Sequence, residues 1–127
     1  MQTRVTRSPE CGNAPENARA EAIALALMGV GRLEEDALAE IVTWDRSQSA
    51  VVVGREAVSH AVAKVDPPAS ISLAEVVTHG RAGTVSGRMT RDGAGTVLFC
   101  HVIRFTSPST HQIAQLVSFE RQEVSHG

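Results

Sequence analysis

Phe99-Cys100-His101-Val102-Ile103-Arg104-Phe105 is the stretch whose reading decides the fold. With the two-residue period of a β-strand, Phe99, His101, Ile103 and Phe105 share one face, while Cys100, Val102 and Arg104 share the other. Working outward, His79-Gly80-Arg81, Asp92-Gly93-Ala94-Gly95 and Ser107-Pro108-Ser109-Thr110 are clusters of turn residues separated by β-branched runs. The pattern predicts four antiparallel strands in a meander, at about 71–78, 82–91, 96–106 and 111–121.

The first half reads as helical. Asn13-Ala14-Pro15-Glu16 has the form of a capping box, with Asn13 as N-cap, Pro15 in the first turn and Glu16 three positions on. The helix it opens carries Ile23, Leu27 and Val30 on one stripe and ends at Gly29 and Gly31. A short second helix is expected from Leu33, Ala37, Leu38 and Ile41, with Glu34, Glu35 and Asp36 in its first turn. Short strands follow at 42–45 and 51–53. Gly54 then leads into a third helix striped by Ala57, Val58, Ala61, Val62 and Val65, which Pro67 and Pro68 stop.

With 43% hydrophobic and 20% charged residues over 127 positions, the chain fits one globular domain that buries roughly two-thirds of its unfolded surface. The expected boundaries are a flexible N-terminal tail at 1–10, the domain at 11–121 and a C-terminal tail at 122–127. A formal net charge of −2 without a run of Lys or Arg gives no footprint for nucleic acid or an anionic membrane, so neither partner is expected. The N-terminus lacks the apolar stretch of a secretory signal, and the longest apolar run, 22–28, is far short of the roughly 20 residues of a bilayer span. A cytoplasmic location is the expectation, with Cys11 and Cys100 as reduced, buried thiols. Metal-ligand spacings of His and Cys are missing, Gly29-Val30-Gly31 is no nucleotide loop, and no Gly-x-Ser-x-Gly elbow occurs, so neither metal nor cofactor is expected.

Turn geometry then assigns faces. Pairing of His79 with Ala82, Arg91 with Thr96 and Thr106 with His111 places Glu75 opposite Ser86, Ser86 opposite His101 and His101 opposite Leu116. The result is a polar row, Glu75–Ser86–His101, with Arg88 and Ser118 nearby, on the face that also bears Phe99, Ile103 and Phe105. The opposite face is expected to carry Val76, Val85, Met89, Leu98, Cys100, Val102, Ile113, Val117 and Phe119. Both faces are apolar and helices shield only one, which points to a homodimer through the second face, at Val85, Val102 and Val117.

The helices followed by a long sheet, with "CGNAPEN" at 11–17, "THG" at 78–80, "FCHVIRF" at 99–105 and "LVSFE" at 116–120, resemble the nuclear transport factor 2-like superfamily in its SnoaL-like bacterial branch. The resemblance implies an α+β, cone-shaped fold of three N-terminal helices on a curved, mainly antiparallel sheet, commonly a homodimer, with a pocket between helices and sheet. Members include ketosteroid isomerases, polyketide cyclases, epoxide hydrolases and dehydratases, so the fold does not fix the function. In the ketosteroid isomerases an aspartate donates to the developing oxyanion from the strand position that His101 resembles; the assisting helix tyrosine corresponds to Ala24, and the base falls near Arg46. That catalytic set is absent.

The candidate site follows. His101 and Glu75 are the acid/base candidates, and Trp44, Ser86, Arg88, Phe99 and Ser118 are the ligand-binding candidates. His60, between Glu56 and Lys64 on a helix, reads as solvated, and His79 as a turn residue. The expected function is binding of a small apolar or mixed-polarity molecule in an apolar pocket with a few polar groups, supporting isomerase, cyclase or dehydratase chemistry. The alternative is a non-catalytic ligand-binding or dimerisation module.

Overall fold

A computed structural model describes residues 2–9, 14–91, 95–107 and 112–123. Its strands are β1 (Arg4–Arg7), β2 (Leu38–Arg46), β3 (Val52–Val53), β4 (Ser70–His79), β5 (Ala82–Arg91), β6 (Gly95–Phe105) and β7 (Ile113–Gln122), and its helices are α1 (Pro15–Leu27) and α2 (Arg55–Ala63). The strands make one seven-stranded sheet, ordered β1-β4-β5-β6-β7-β2-β3. The β4–β7 meander and the β2–β3 pair are antiparallel, while β1 joins β4 and β2 joins β7 in parallel. Among the described residues no helix is long and apolar enough to cross a membrane.

The meander forms where its turn clusters separate β-branched runs, within one or two residues of the expected limits. The helical half needs correction. Only two α-helices form among the described residues, because 33–41 holds just a single 3-10 turn, Glu35–Ala37, before β2 begins. Leu38, Val42 and Trp44 are buried and Ile41 is exposed, so the two-residue alternation prevails over the helical spacing of Leu33, Ala37, Leu38 and Ile41.

Helix α1 begins with Pro15, but its N-cap is Ala14, which offers no side-chain acceptor; Asn13 lies outside the described residues, as does Cys11. Its C-terminus is closed as expected by Gly29, at φ +91°, with Val30 N–H bonding the Leu25 carbonyl at 2.8 Å and Gly29 N–H bonding Ala26 at 3.0 Å. A Cβ on Gly29 would stand 2.8 Å from both Pro67 N and the Val65 carbonyl, so the chain after α2 packs directly on this glycine.

The segment expected as a flexible tail instead supplies an edge strand. Arg7 forms two 2.8 Å hydrogen bonds with the Glu21 carboxylate of α1, and Arg4 N–H bonds the Ala69 carbonyl. At the other end β7 includes Gln122, and 124–127 lie outside the described residues. Elsewhere, "CGNAPEN" and "THG" meet: the Thr78 hydroxyl donates to Asn17 Oδ1 at 2.6 Å, tying α1 to β4.

Register corrects the faces. On β4 and β5, Glu75 does oppose Ser86, but Ala74 is an extra residue, so Leu73 meets Gly87 rather than Arg88. A Cβ on Gly87 would run into the Ser72 carbonyl, which is why this crowded place on the sheet takes a glycine. On β5 and β6, Arg91 pairs with Gly95, one residue short of the expected Thr96. That slip puts Val85 opposite His101 and moves Ser86 opposite Cys100, on the reverse face. On β6 and β7, His101 lies opposite Ser118, and Ala114 is the extra residue that brings Ile113 to the same side as Leu116.

The inner face therefore carries Ile71, Leu73, Val76, Val85, Met89, Phe99, His101, Ile103, Ile113, Leu116 and Ser118, all buried. Of the residues expected on the reverse face, Val76, Val85, Met89 and Ile113 are here instead, each large apolar side chain contributing about 1.5–3 kcal/mol through burial. The outer face keeps Leu98, Cys100, Val102, Val117 and Phe119, alongside Glu75 and Arg88.

Candidate functional site

Helix α1 packs over β4 and β5, and α2 over β2 and β3. Between them, Leu27 and Met28 at the end of α1 and Val65 beyond α2 lie over part of the inner face of β6 and β7. A pocket of about 170 Å³ remains there, its floor and walls made by Trp44, Arg46, Met89, His101 and Ser118, with Arg91 and Glu120 completing its lining.

Three adjacent strands deliver the polar groups in register. His101 of β6 pairs with Ser118 of β7, and Ser118 pairs with Arg46 of β2, so one row crosses the sheet as His101–Ser118–Arg46. Trp44, two residues before Arg46 on the same face, is 2% exposed, and its indole N–H donates to Ser118 Oγ at 2.9 Å. The Arg46 guanidinium stacks on that indole, 4.6 Å from its centroid. Ser118 Oγ is 2.7 Å from His101 Nδ1. The Phe99 ring flanks the imidazole at 5.4 Å between centroids.

These bonds are the basis for assigning the protons. Ser118 Oγ already accepts from Trp44, and its own single proton finds its acceptor at His101 Nδ1. The reverse arrangement, Nδ1–H donating to Ser118, leaves the serine proton without an acceptor among the described residues. With the protons assigned along Trp44→Ser118→His101, each of these bonds has one donor and one acceptor, and the imidazole proton falls on Nε2. His101 is 2% exposed, and burial pushes its pKa from the ordinary 6.5 to about 4, so the ring is neutral at pH 7. Its Nε2 is buried without a hydrogen-bond partner, and the only other such side-chain atom among the described residues is Arg46 Nε. Both residues line the same pocket.

The sequence-derived candidates divide. Trp44, Phe99, His101 and Ser118 come together. Glu75 and Ser86 pair with each other on the outer face beside Cys100, with Glu75 exposed, so the expected acid/base pairing of His101 with Glu75 does not form. Arg88 is also on the outer side, where it meets Glu123 at 3.2 Å. Asp45, His60 and His79 are exposed, and Ala24 is buried in the core. Cys100, half-buried on the outer face, has its thiol pKa pushed up by burial. Arg46, near which the resemblance puts the base, stands two residues after Trp44 in a strand, and that spacing is the signal that it shares the tryptophan's face. A larger cleft of about 340 Å³ lies between the 29–35 loop and α2, but none of its lining residues has a buried unpartnered side-chain atom.

A mainly antiparallel sheet with helices over one face and a recess beneath them defines an α+β protein. Comparison with solved structures identifies the architecture as the nuclear transport factor 2-like fold. A protein of this fold of unknown function from Cytophaga hutchinsonii superposes with a TM-score of 0.65 at 15% identity, over 84% of this chain and 96% of that one. A candidate ketosteroid isomerase from Kribbella flavida gives 0.63 at 16% identity, over 87% and 80%. A candidate isomerase of the SnoaL-like family from Agrobacterium tumefaciens gives 0.58 at 16% identity, over 82% and 95%. No family model matches the chain, and no curated protein matches it in sequence.

Proposed function

We propose that the chain is a small-molecule-binding protein of the SnoaL-like branch, whose ligand occupies the inner-face pocket and accepts a hydrogen bond from neutral His101. The carrying observation is that this pocket is lined by a 2% exposed histidine whose Nε2 has no hydrogen-bond partner. A buried donor left unsatisfied costs about 1–3 kcal/mol, and a ligand acceptor recovers it. At about 170 Å³ the pocket compares with a cavity of roughly 150 Å³ that holds benzene, and it is well below the roughly 300–1,000 Å³ of drug-sized sites. A single-ring ligand is therefore the match in size.

A fixed, uncharged N–H polarises a carbonyl without first giving up a proton, which suits isomerisation, cyclisation or dehydration through an enolate. The carboxylate available to this pocket is Glu120, not Glu75. Titrating benzamide, a neutral one-ring carbonyl compound, while observing the His101 ring by ¹⁵N NMR tests the reading. A saturable shift of Nε2 supports it, and an unmoved ring with either benzamide or benzoate at millimolar concentration overturns it.

The outer face supports the partner proposal, a second copy of this chain. Val77 and Phe119 are 49% and 52% exposed there, next to half-buried Cys100, Val102 and Val117. Asp45 and Glu75 share this face with Arg88, Arg104 and Arg121, a mixture of signs suited to a self-complementary two-fold contact. Val85, buried under α1, is not part of it. Sedimentation at micromolar concentration should show a dimer that Phe119→Arg dissociates; a monomer in the parent protein contradicts this surface.

A further inference from the structure

Strand β3 ends the sheet and is only two residues long, pairing Val53 with Thr43 and Val52 with Trp44 of β2. The Gly54 N–H bonds the Val42 carbonyl at 2.8 Å, which carries the same antiparallel register one residue further. Val52 and Gly54 therefore direct their backbone groups at β2, and Val53, between them, directs its N–H and C=O at the open edge of the sheet. Val53 is 65% exposed, and Ile41 on β2 is 80% exposed. Val51, two residues before Val53, is exposed as well.

Charge around this edge is mainly of one sign. A shallow recess of about 600 Å³ opens beside Val53, and its charged lining is Glu35, Glu40, Arg55 and Glu56. Three exposed carboxylates thus stand against one guanidinium. Arg55 Nε is held by the Leu38 carbonyl at 2.7 Å, and among the described residues none of the three glutamates has a cationic side chain within 4.0 Å. The amino end of α2 offsets part of this charge, but Glu56 in its first turn already answers it. Glu35 and Glu40 remain unanswered beside exposed apolar side chains. A second copy of this chain on a two-fold axis here would bring one acidic rim against another. An extended chain that alternates apolar and basic residues suits all three features, because its backbone can pair with Val53 while its two faces carry different side chains.

We propose that this edge is a docking site for an extended, basic polypeptide segment. The segment adds a strand beside β3, hydrogen-bonds the Val53 backbone, covers Val53 and Ile41 with apolar side chains and sets Lys or Arg against Glu35, Glu40 and Glu56. Because β3 offers so little backbone, charge sets the preference among partners. Binding here needs neither His101 nor the inner-face pocket.

Two short capped peptides, one alternating Lys with Val and the other Glu with Val, test this by calorimetric and ¹H–¹⁵N NMR titration of the parent protein. The Lys–Val peptide is expected to shift the Val53 amide saturably and to bind at least about tenfold more tightly than the Glu–Val peptide, an advantage that high salt reduces. Val53→Pro removes the outward N–H at a place where an edge strand tolerates proline, and it should weaken the Lys–Val peptide at least about tenfold. Glu40→Lys combined with Glu56→Lys should reverse the preference between the peptides. In both variants the His101 ring signal should stay in place, which shows that the fold survives. Equal binding of the two peptides, an unmoved Val53 amide at millimolar peptide, or folded variants that bind like the parent overturns the proposal. A Val53 amide that shifts with protein concentration alone gives the edge to a second copy and overturns it equally.

Discussion

Two rows of residues cross the same sheet one position apart, His101–Ser118–Arg46 on the inner face and Glu75–Ser86–Cys100–Phe119 on the outer. In side-chain type they are similar, each mixing a titratable group, a serine and a charged or aromatic neighbour. Their surroundings differ. The inner row sits beneath Leu27, Met28 and Val65, where desolvation pushes His101 to about 4 and leaves two N–H donors unpartnered. Glu75, on the outer row, is exposed and keeps its hydration. Cover by the helices, rather than the inventory of polar residues, creates the chemically distinctive face.

The comparison breaks most severely at Trp44. Trp44→Ala removes a 2% exposed indole and the donor that orients Ser118, and denaturant unfolding should show a loss of about 3–5 kcal/mol. A loss below about 1 kcal/mol contradicts its role as wall and anchor of the inner row.

Acid sharpens the contrast next. The unfolded chain binds a proton at His101 near pH 6.5 and the native protein near 4, so stability from this residue is complete above the higher value and declines as pH falls through that window. Between pH 7 and pH 4 the parent should lose about 3 kcal/mol more than His101→Asn, as read from chemical denaturation at both values. Parallel losses in the two proteins place His101 in water.

Smallest is the effect expected on the outer row. Glu75→Gln should change stability by less than about 0.5 kcal/mol and leave the His101 ring resonances where they are. A displaced His101 signal revives the pairing that the register separates.

Much of this was legible in advance for a physical reason. Turn clusters and β-branched runs are local signals, and they located β4 to β7 and the end of α1 at Gly29. Register is not local. The Asp92-Gly93-Ala94-Gly95 cluster accommodates Arg91 opposite either Gly95 or Thr96, and the choice made moves Ser86 to the other face. The extra residues, Ala74 midway along β4 and Ala114 at the start of β7, reverse the alternation without any sequence mark. Strand β1 is four residues long and parallel to β4, a pairing across more than sixty positions that no turn announces. Arg46 is not legible as a pocket residue because a charged residue at a strand end ordinarily faces solvent, whereas here it stacks on the indole of Trp44.

The central claim is that His101 is a neutral donor, fixed by Ser118 and buried on the inner face. Long-range ¹H–¹⁵N NMR of the ligand-free protein, followed from pH 7.5 to pH 3.5, observes its two ring nitrogens directly. The account predicts an unprotonated Nδ1 and a protonated Nε2 at pH 7, with a titration midpoint near 4. A midpoint near 6.5, or a proton on Nδ1, would contradict it.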